Sequence, residues 1–148
     1  MMRVAIILGF GLALLGLVPI AVGAETDAAK PDDAAPLALI AVAGAPGDGE
    51  QALTAALAKR LSAAGIKSAS AFGDNVYSVE GTVRVTAAKG GRQSVRIDWT
   101  VFAPDGSTLG GVSQTRSVRK GSLERKWGAS ADAAARAAAA EIVKLLPR

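Results

Sequence analysis

A glycine-rich segment at residues 44–51 (GAPGDGEQ) has the spacing closest to a known chemical motif, the phosphate-binding P-loop. It lies between a predicted strand and a predicted helix, where backbone amides can cradle phosphates. Glu50 stands where a P-loop carries its lysine, and Gln51 stands where it carries Ser or Thr for Mg²⁺. The segment therefore predicts a tight strand-to-helix connection. A small hydrolase or lyase using Asp48 as its base remains an alternative.

Other catalytic signals are weak. The chain has no His and no Cys, which excludes an imidazole base, a thiolate nucleophile and a Cys-ligated metal. Ser117 and Lys120 fit the Ser-x-x-Lys pattern, but that chemistry needs the serine at a helix start, whereas here it falls at the end of a predicted strand. We therefore predict no catalytic residue, no cofactor and no metal site, which favours a non-enzymatic protein.

The segment 120–128 (KGSLERKWG) is the most distinctive loop of the chain, because it sets an aromatic residue beside cations. That composition is typical of the centre of a protein–protein contact. An alternative is that Trp127 packs under the start of the following helix as part of the core. The residues predicted to bind a partner are Arg119, Lys120, Arg125, Lys126 and Trp127.

Positive charge is concentrated in the second half of the chain, although the net charge is only +4. Between Arg84 and Lys126 there are three acidic residues and nine basic ones, namely Arg84, Lys89, Arg92, Arg96, Arg116, Arg119, Lys120, Arg125 and Lys126. In an exported protein this charge favours an acidic protein surface, an anionic envelope polymer or lipid headgroups as partner, and not nucleic acid. A solvated strand face that keeps the protein soluble is the alternative.

The N-terminus predicts export. A basic start at Arg3 precedes an uncharged apolar run from Val4 to Ile20, and the small residues at 22–24 (VGA) suit a signal peptidase. We predict a signal peptide over residues 1–24, cleaved after Ala24, and a periplasmic location. A retained N-terminal membrane anchor is the alternative, because 21 uncharged residues from Val4 to Ala24 are long enough to span a bilayer. Without Cys there is neither a disulfide nor a lipid attachment site.

The first elements of the predicted domain follow a short leader. Residues 25–36 mix Asp, Ala, Lys and Pro without periodicity, which predicts a flexible leader before a single domain over residues 37–148. The apolar run 37–43 predicts a strand buried on both faces. A helix follows, capped by Asp48 with Gln51 as its partner, and Gly65 supplies a left-handed stop with Ile66 packing back.

From residue 75 the hydrophobic period changes to two, which predicts three antiparallel strands. Gly90-Gly91 closes the first hairpin, and Pro104-Asp105-Gly106 leads into the third strand, where Gly110-Gly111 predicts a bulge or a close backbone approach. An alanine-rich helix runs from Ser130 to Pro147. The expected fold is α+β in the order β-α-β-β-β-α, with two helices packed on a mixed, mostly antiparallel sheet.

Three segments carry a family resemblance: residues 77–83 (YSVEGTV), 95–101 (VRIDWTV) and 105–110 (DGSTLG). They resemble the small α/β modules of bacterial envelope proteins, such as the TolB N-terminal domain, the penicillin-binding-protein activator and curli-assembly lipoproteins. By element order the resemblance covers roughly residues 37–146. It implies a non-enzymatic adaptor role. Together with the export signal, the missing catalytic side chains and the basic segment 120–128 that holds Trp127, this predicts a periplasmic binding or assembly module that docks an envelope protein. The chain departs from the lipoproteins in lacking a lipid-anchoring Cys.

Overall fold

A computed structural model describes residues 35–147; the predicted signal peptide and residues 25–34 of the predicted leader lie outside the described residues. The elements are β1 (Leu37–Ala43), α1 (Gly49–Ala63), β2 (Lys67–Ser68), β3 (Val76–Ala88), β4 (Arg92–Phe102), β5 (Thr108–Arg119) and α2 (Gly128–Leu145). This confirms the α+β class and the predicted order, to which the structure adds β2. Within residues 35–147 neither helix has the length and hydrophobicity of a membrane-spanning segment.

The five strands form one mixed sheet in the order β2-β1-β3-β4-β5. β1 runs parallel to β2 and β3, whereas β3, β4 and β5 form the predicted antiparallel meander. Helix α1 provides the crossover that a parallel pair of strands requires. Since β2 has only two residues, the longer free edge of the described sheet belongs to β5.

The core lies between the two helices and one face of the sheet, which we call the inner face. Alternate residues of the central strands point into it, as the period of two predicts. The sheet contributes the buried side chains Val79, Val83, Val95, Ile97, Trp99 and Val101. Helix α1 adds Leu53, Leu57 and Leu61, while α2 adds mainly short alanine side chains that let it approach the sheet closely.

No helix covers the opposite, outer face of the sheet among residues 35–147. The prediction that β1 is buried on both faces is therefore wrong. Ala38 on the inner face is buried, whereas Ala41 and Ala43 on the outer face are exposed. The apolar composition of β1 misled the prediction, because alanine is small enough to be tolerated in water as well as in a core.

Of three predicted helix ends, only the end of α1 at Gly65 was predicted correctly. Gly65 ends α1 with a φ of +89°, and the Ile66 and Gly65 amides donate to the carbonyls of Leu61 (2.9 Å) and Ser62 (3.0 Å), which confirms the left-handed stop. The predicted capping box at Asp48 is wrong, because its side chain makes no hydrogen bond to α1. Helix α2 begins at Gly128, two residues before the predicted start.

The glycine turns of the meander are confirmed. Gly90 and Gly91 adopt φ values of +73° and +69° in the first hairpin. In the next pair of strands Val101 is opposite Gly110 but Phe102 is opposite Thr108, so one extra residue forms a bulge. A Cβ on Gly110 would lie 2.8 Å from Cδ2 of Leu145, so the expected close approach is also present.

Candidate functional site

Two loops that the sequence singled out separately pack against each other. We call residues 44–48, between β1 and α1, the glycine loop, and residues 120–127, between β5 and α2, the basic loop. The Asp48 amide donates to the carbonyl of Arg125 at 3.0 Å, and the Trp127 amide donates to Oδ1 of Asp48 at 2.8 Å. The indole Nε1 of Trp127 donates to the carbonyl of Pro46, also at 2.8 Å. These bonds join residues about 80 positions apart into one structural unit.

Close packing explains the glycine spacing that resembles a P-loop. A Cβ on Gly44 would lie 2.5 Å from the carbonyl oxygen of Val83, and a Cβ on Gly47 would lie 2.7 Å from that of Arg125. A Cβ on Gly49 would lie 2.5 Å from Nε1 of Trp127. Each of these glycines is needed because another part of the chain occupies the space of a side chain.

The two carboxylates of this region are engaged with the protein's own amides. Oε1 of Glu50 accepts a hydrogen bond from the Gly44 amide at 2.9 Å, where a P-loop would offer its amides to phosphate. Glu50 also lies in the first turn of α1, where the helix dipole favours a negative charge. Asp48, the alternative catalytic base, accepts from the Trp127 amide and thereby joins the two loops. Within residues 35–147 no three acidic side chains form a group that could hold a metal ion.

Trp127 belongs to the core and is only 3% exposed. Core packing, the alternative weighed for this residue, agrees with its burial. Arg119, Lys120, Arg125 and Lys126 are exposed. Of the five residues predicted to bind a partner, a docked protein would therefore contact the four cations and not the indole ring.

The nine cations between residues 84 and 126 are all exposed. The basic loop adjoins the β3–β4 hairpin, since the amides of Lys120 and Gly121 donate to the Gly91 carbonyl (2.9 Å) and to Oε1 of Gln93 (3.2 Å). We call the basic loop and the adjoining β3–β4 hairpin together the basic end. Of these nine cations only Arg96 forms an ion pair within the described residues. The other eight have no carboxylate partner there.

The carboxylate that does pair with Arg96 is Asp98, which is itself fully engaged. Its Oδ1 accepts from Oγ of Ser113 at 2.6 Å and from Nε of Arg96 at 3.0 Å. Both hydrogen bonds, and most of all the one from Ser113, hold the pKa of Asp98 below its usual value. Asp98 therefore stays ionised and offsets part of the positive charge of Arg96 and of the nearby Arg84.

Comparison with known proteins gives structural similarity only. The chain matches no protein-family model and no curated protein sequence. It is similar to the PelC dodecamer from Paraburkholderia phytofirmans, with 17% identity and a TM-score of 0.46 over 76% of this chain and 88% of that chain. It is also similar to a minor lipoprotein from Acinetobacter baumannii, with 15% identity and a TM-score of 0.45 over 73% of this chain and 92% of that chain. The resemblance to envelope modules drawn from residues 77–110 stays a prediction.

Proposed function

We propose that the protein is a non-enzymatic binding module of the bacterial envelope that docks an acidic partner protein through its basic loop. The observation that carries this proposal is the set of exposed cations without carboxylate partners among the described residues. The export signal predicted from residues 1–24 supports a periplasmic location. The cations that would meet the partner are Arg119, Lys120, Arg125 and Lys126.

Clustered cations of this kind favour association more than folding. Like charges at the basic end repel one another, which lowers stability, but together they create a positive potential that steers an acidic surface into contact. Because salt screens exposed charges over about 8–10 Å, docking of this type weakens as ionic strength rises.

The backbone of the basic loop is well held, which favours binding. Leu123 is 2% exposed and Trp127 is 3% exposed, so two side chains anchor the loop in the core. The hydrogen bonds between Asp48, Arg125 and Trp127 fix it further. A loop that is already ordered loses less conformational entropy on binding, so more of the interaction energy contributes to affinity.

Site-specific crosslinking in the native host tests this proposal. A photoreactive residue at the exposed position Ser122 should crosslink to an envelope protein, whereas the same residue at the exposed position Ser70 should not. The crosslink should disappear in a loop variant that removes three charges. The loop variant carries Lys120→Gln, Arg125→Gln and Lys126→Gln.

A matched control separates docking from total charge. Lys59→Gln, Lys67→Gln and Lys144→Gln remove the same charge from other exposed positions and should leave the crosslink intact. Trp127 is not suitable for this test, because loss of a buried ring would destabilise the fold. Equal crosslinking in the loop variant and the control variant would refute docking by the basic loop.

A further inference from the structure

The outer face of the sheet carries arginine and hydroxyl side chains towards the basic end. The lysines of this region, Lys89, Lys120 and Lys126, lie in loops, whereas every cation on the outer face of β3, β4 and β5 is an arginine. Arginine presents a planar fork of N–H donors that matches two oxygens of an anionic group, which the point charge of lysine does not do. The outer-face arginines are Arg84, Arg92, Arg96 and Arg119.

These arginines form two like-charge pairs across neighbouring strands. Arg84 is directly opposite Arg96, and Arg92 is directly opposite Arg119. Directly opposed residues have Cβ atoms about 4.5–5.5 Å apart, where like charges destabilise a sheet. Only Arg96 has a carboxylate partner among the described residues, namely Asp98. Asp98 offsets part of the repulsion between Arg84 and Arg96. No carboxylate within the described residues pairs with Arg92 or Arg119, so a bound anion would compensate this second pair most.

A row of hydroxyl side chains separates the two arginine pairs. Thr86, Ser94 and Ser117 are aligned across the three strands between them. Arg92 and Arg96 are four residues apart on β4, which corresponds to about 14 Å at 3.4 Å per residue. Nε and Nη2 of Arg92 donate to Oγ (2.7 Å) and the carbonyl of Ser117 (2.9 Å), so this guanidinium is held in place with other donors left over.

We propose that this outer face binds an extended anionic glycan, a sugar polymer that carries carboxylate or phosphate groups. Its acidic groups pair with the two arginine rows, and its sugar hydroxyls contact the row of Ser and Thr side chains between them. The site uses the face of the sheet and not the basic loop, and Arg119 alone belongs to both surfaces. It therefore does not depend on the proposed docking of a partner protein.

Two other kinds of partner fit this face less well. A membrane-binding surface inserts apolar side chains beside its cations. The exposed large hydrophobic residues of the described chain are Phe72 and Leu109. Leu109 follows Thr108, which is opposite Phe102 at the end of β4 farthest from the arginine pairs. The centre of a protein-binding surface usually holds buried aromatic side chains. The part of the outer face between Thr82 and Ala88 on β3 carries no aromatic side chain.

The experiment compares two variants that each lose three positive charges. The face variant carries Arg84→Gln, Arg92→Gln and Arg96→Gln, and the loop variant is the one defined above. Labelled polygalacturonate and a glycerol-phosphate polymer serve as probes, with neutral dextran as the negative control. We expect the wild type to bind at least one anionic polymer and not dextran. The face variant should bind roughly tenfold more weakly, the loss that three exposed ion pairs of ordinary strength would give.

The loop variant should bind the polymer as tightly as the wild type, and both variants should remain folded, as their circular dichroism spectra would show. Binding of either polymer through the face supports the site and identifies its anionic group. Equal loss in both variants would overturn the proposal, since it would show a response to net charge alone. Vesicles that contain phosphatidylglycerol are a further probe, and binding to these vesicles alone, or to no probe, would also overturn the proposal. The crosslink from Ser122 is measured separately, so failure of one proposal leaves the other testable.

Discussion

Gly49→Ala tests the packing of the two loops, because helix propensity and packing predict opposite signs. Gly49 is the first residue of α1, and alanine is favoured over glycine by up to about 1 kcal/mol within a helix. The new Cβ would lie 2.5 Å from Nε1 of Trp127 and 2.7 Å from Cβ of Ala45. The indole cannot easily retreat, since it is buried and held by the carbonyl of Pro46. Overpacking costs about 1–3 kcal/mol, so we expect a net loss of roughly 1–2 kcal/mol.

Urea unfolding followed by circular dichroism measures this loss. Gly73→Ala is the matched control, because its Cβ would meet only Cγ2 of Val76 at 3.4 Å, and we expect almost no change. In a Trp127→Leu background the cost of Gly49→Ala should shrink by about 1 kcal/mol, since the opposing ring is gone. Wild-type or higher stability of Gly49→Ala, or the same cost in both backgrounds, would refute the reasoning.

Two further predictions concern charge. Hydrogen bonds of 2.8 and 3.0 Å from Arg60 hold the pKa of Asp132 below its usual value. The pair therefore stabilises the fold at pH values above the unfolded-state pKa of about 3.9, and this stabilisation is lost as the pH falls through the lower folded-state pKa. Asp132→Asn should therefore lower the melting temperature at pH 7 but not in strong acid. A difference in melting temperature between wild type and variant that persists in strong acid would contradict this. Arg119→Gln should raise the free energy of unfolding by about 0.2–1 kcal/mol by relieving its repulsion with Arg92, whereas Lys67→Gln should have no effect; a free energy of unfolding below the wild-type value in urea would disprove it.

Local sequence signals predicted the secondary structure well. Alternation of apolar and polar residues located β3, β4 and β5, because a strand turns successive side chains to opposite faces. The stop at Gly65 was predicted because the left-handed conformation there requires glycine. The short strand β2 was missed, since two residues carry no periodicity. The burial of β1 was overestimated, since an apolar run does not reveal how many faces of a sheet are covered.

The candidate site was predicted only in part. The residues of both loops were recognised by type, but their contact was not, because Asp48 and Trp127 are 79 positions apart and local patterns report only near neighbours. The same limit applied to Trp127, whose cationic neighbours in sequence suggested exposure while its neighbours in space bury it.

The α+β class, the strand and helix order and the excess of positive charge in the second half could all be predicted from the residues alone. Each of these depends on composition or on periodicity over a few residues. Long-range packing was needed to show that the P-loop-like glycines serve loop packing, and that Arg84 faces Arg96 while Arg92 faces Arg119. Strand register sets which side chains stand opposite each other, and a slip of one residue would turn each arginine to the other face.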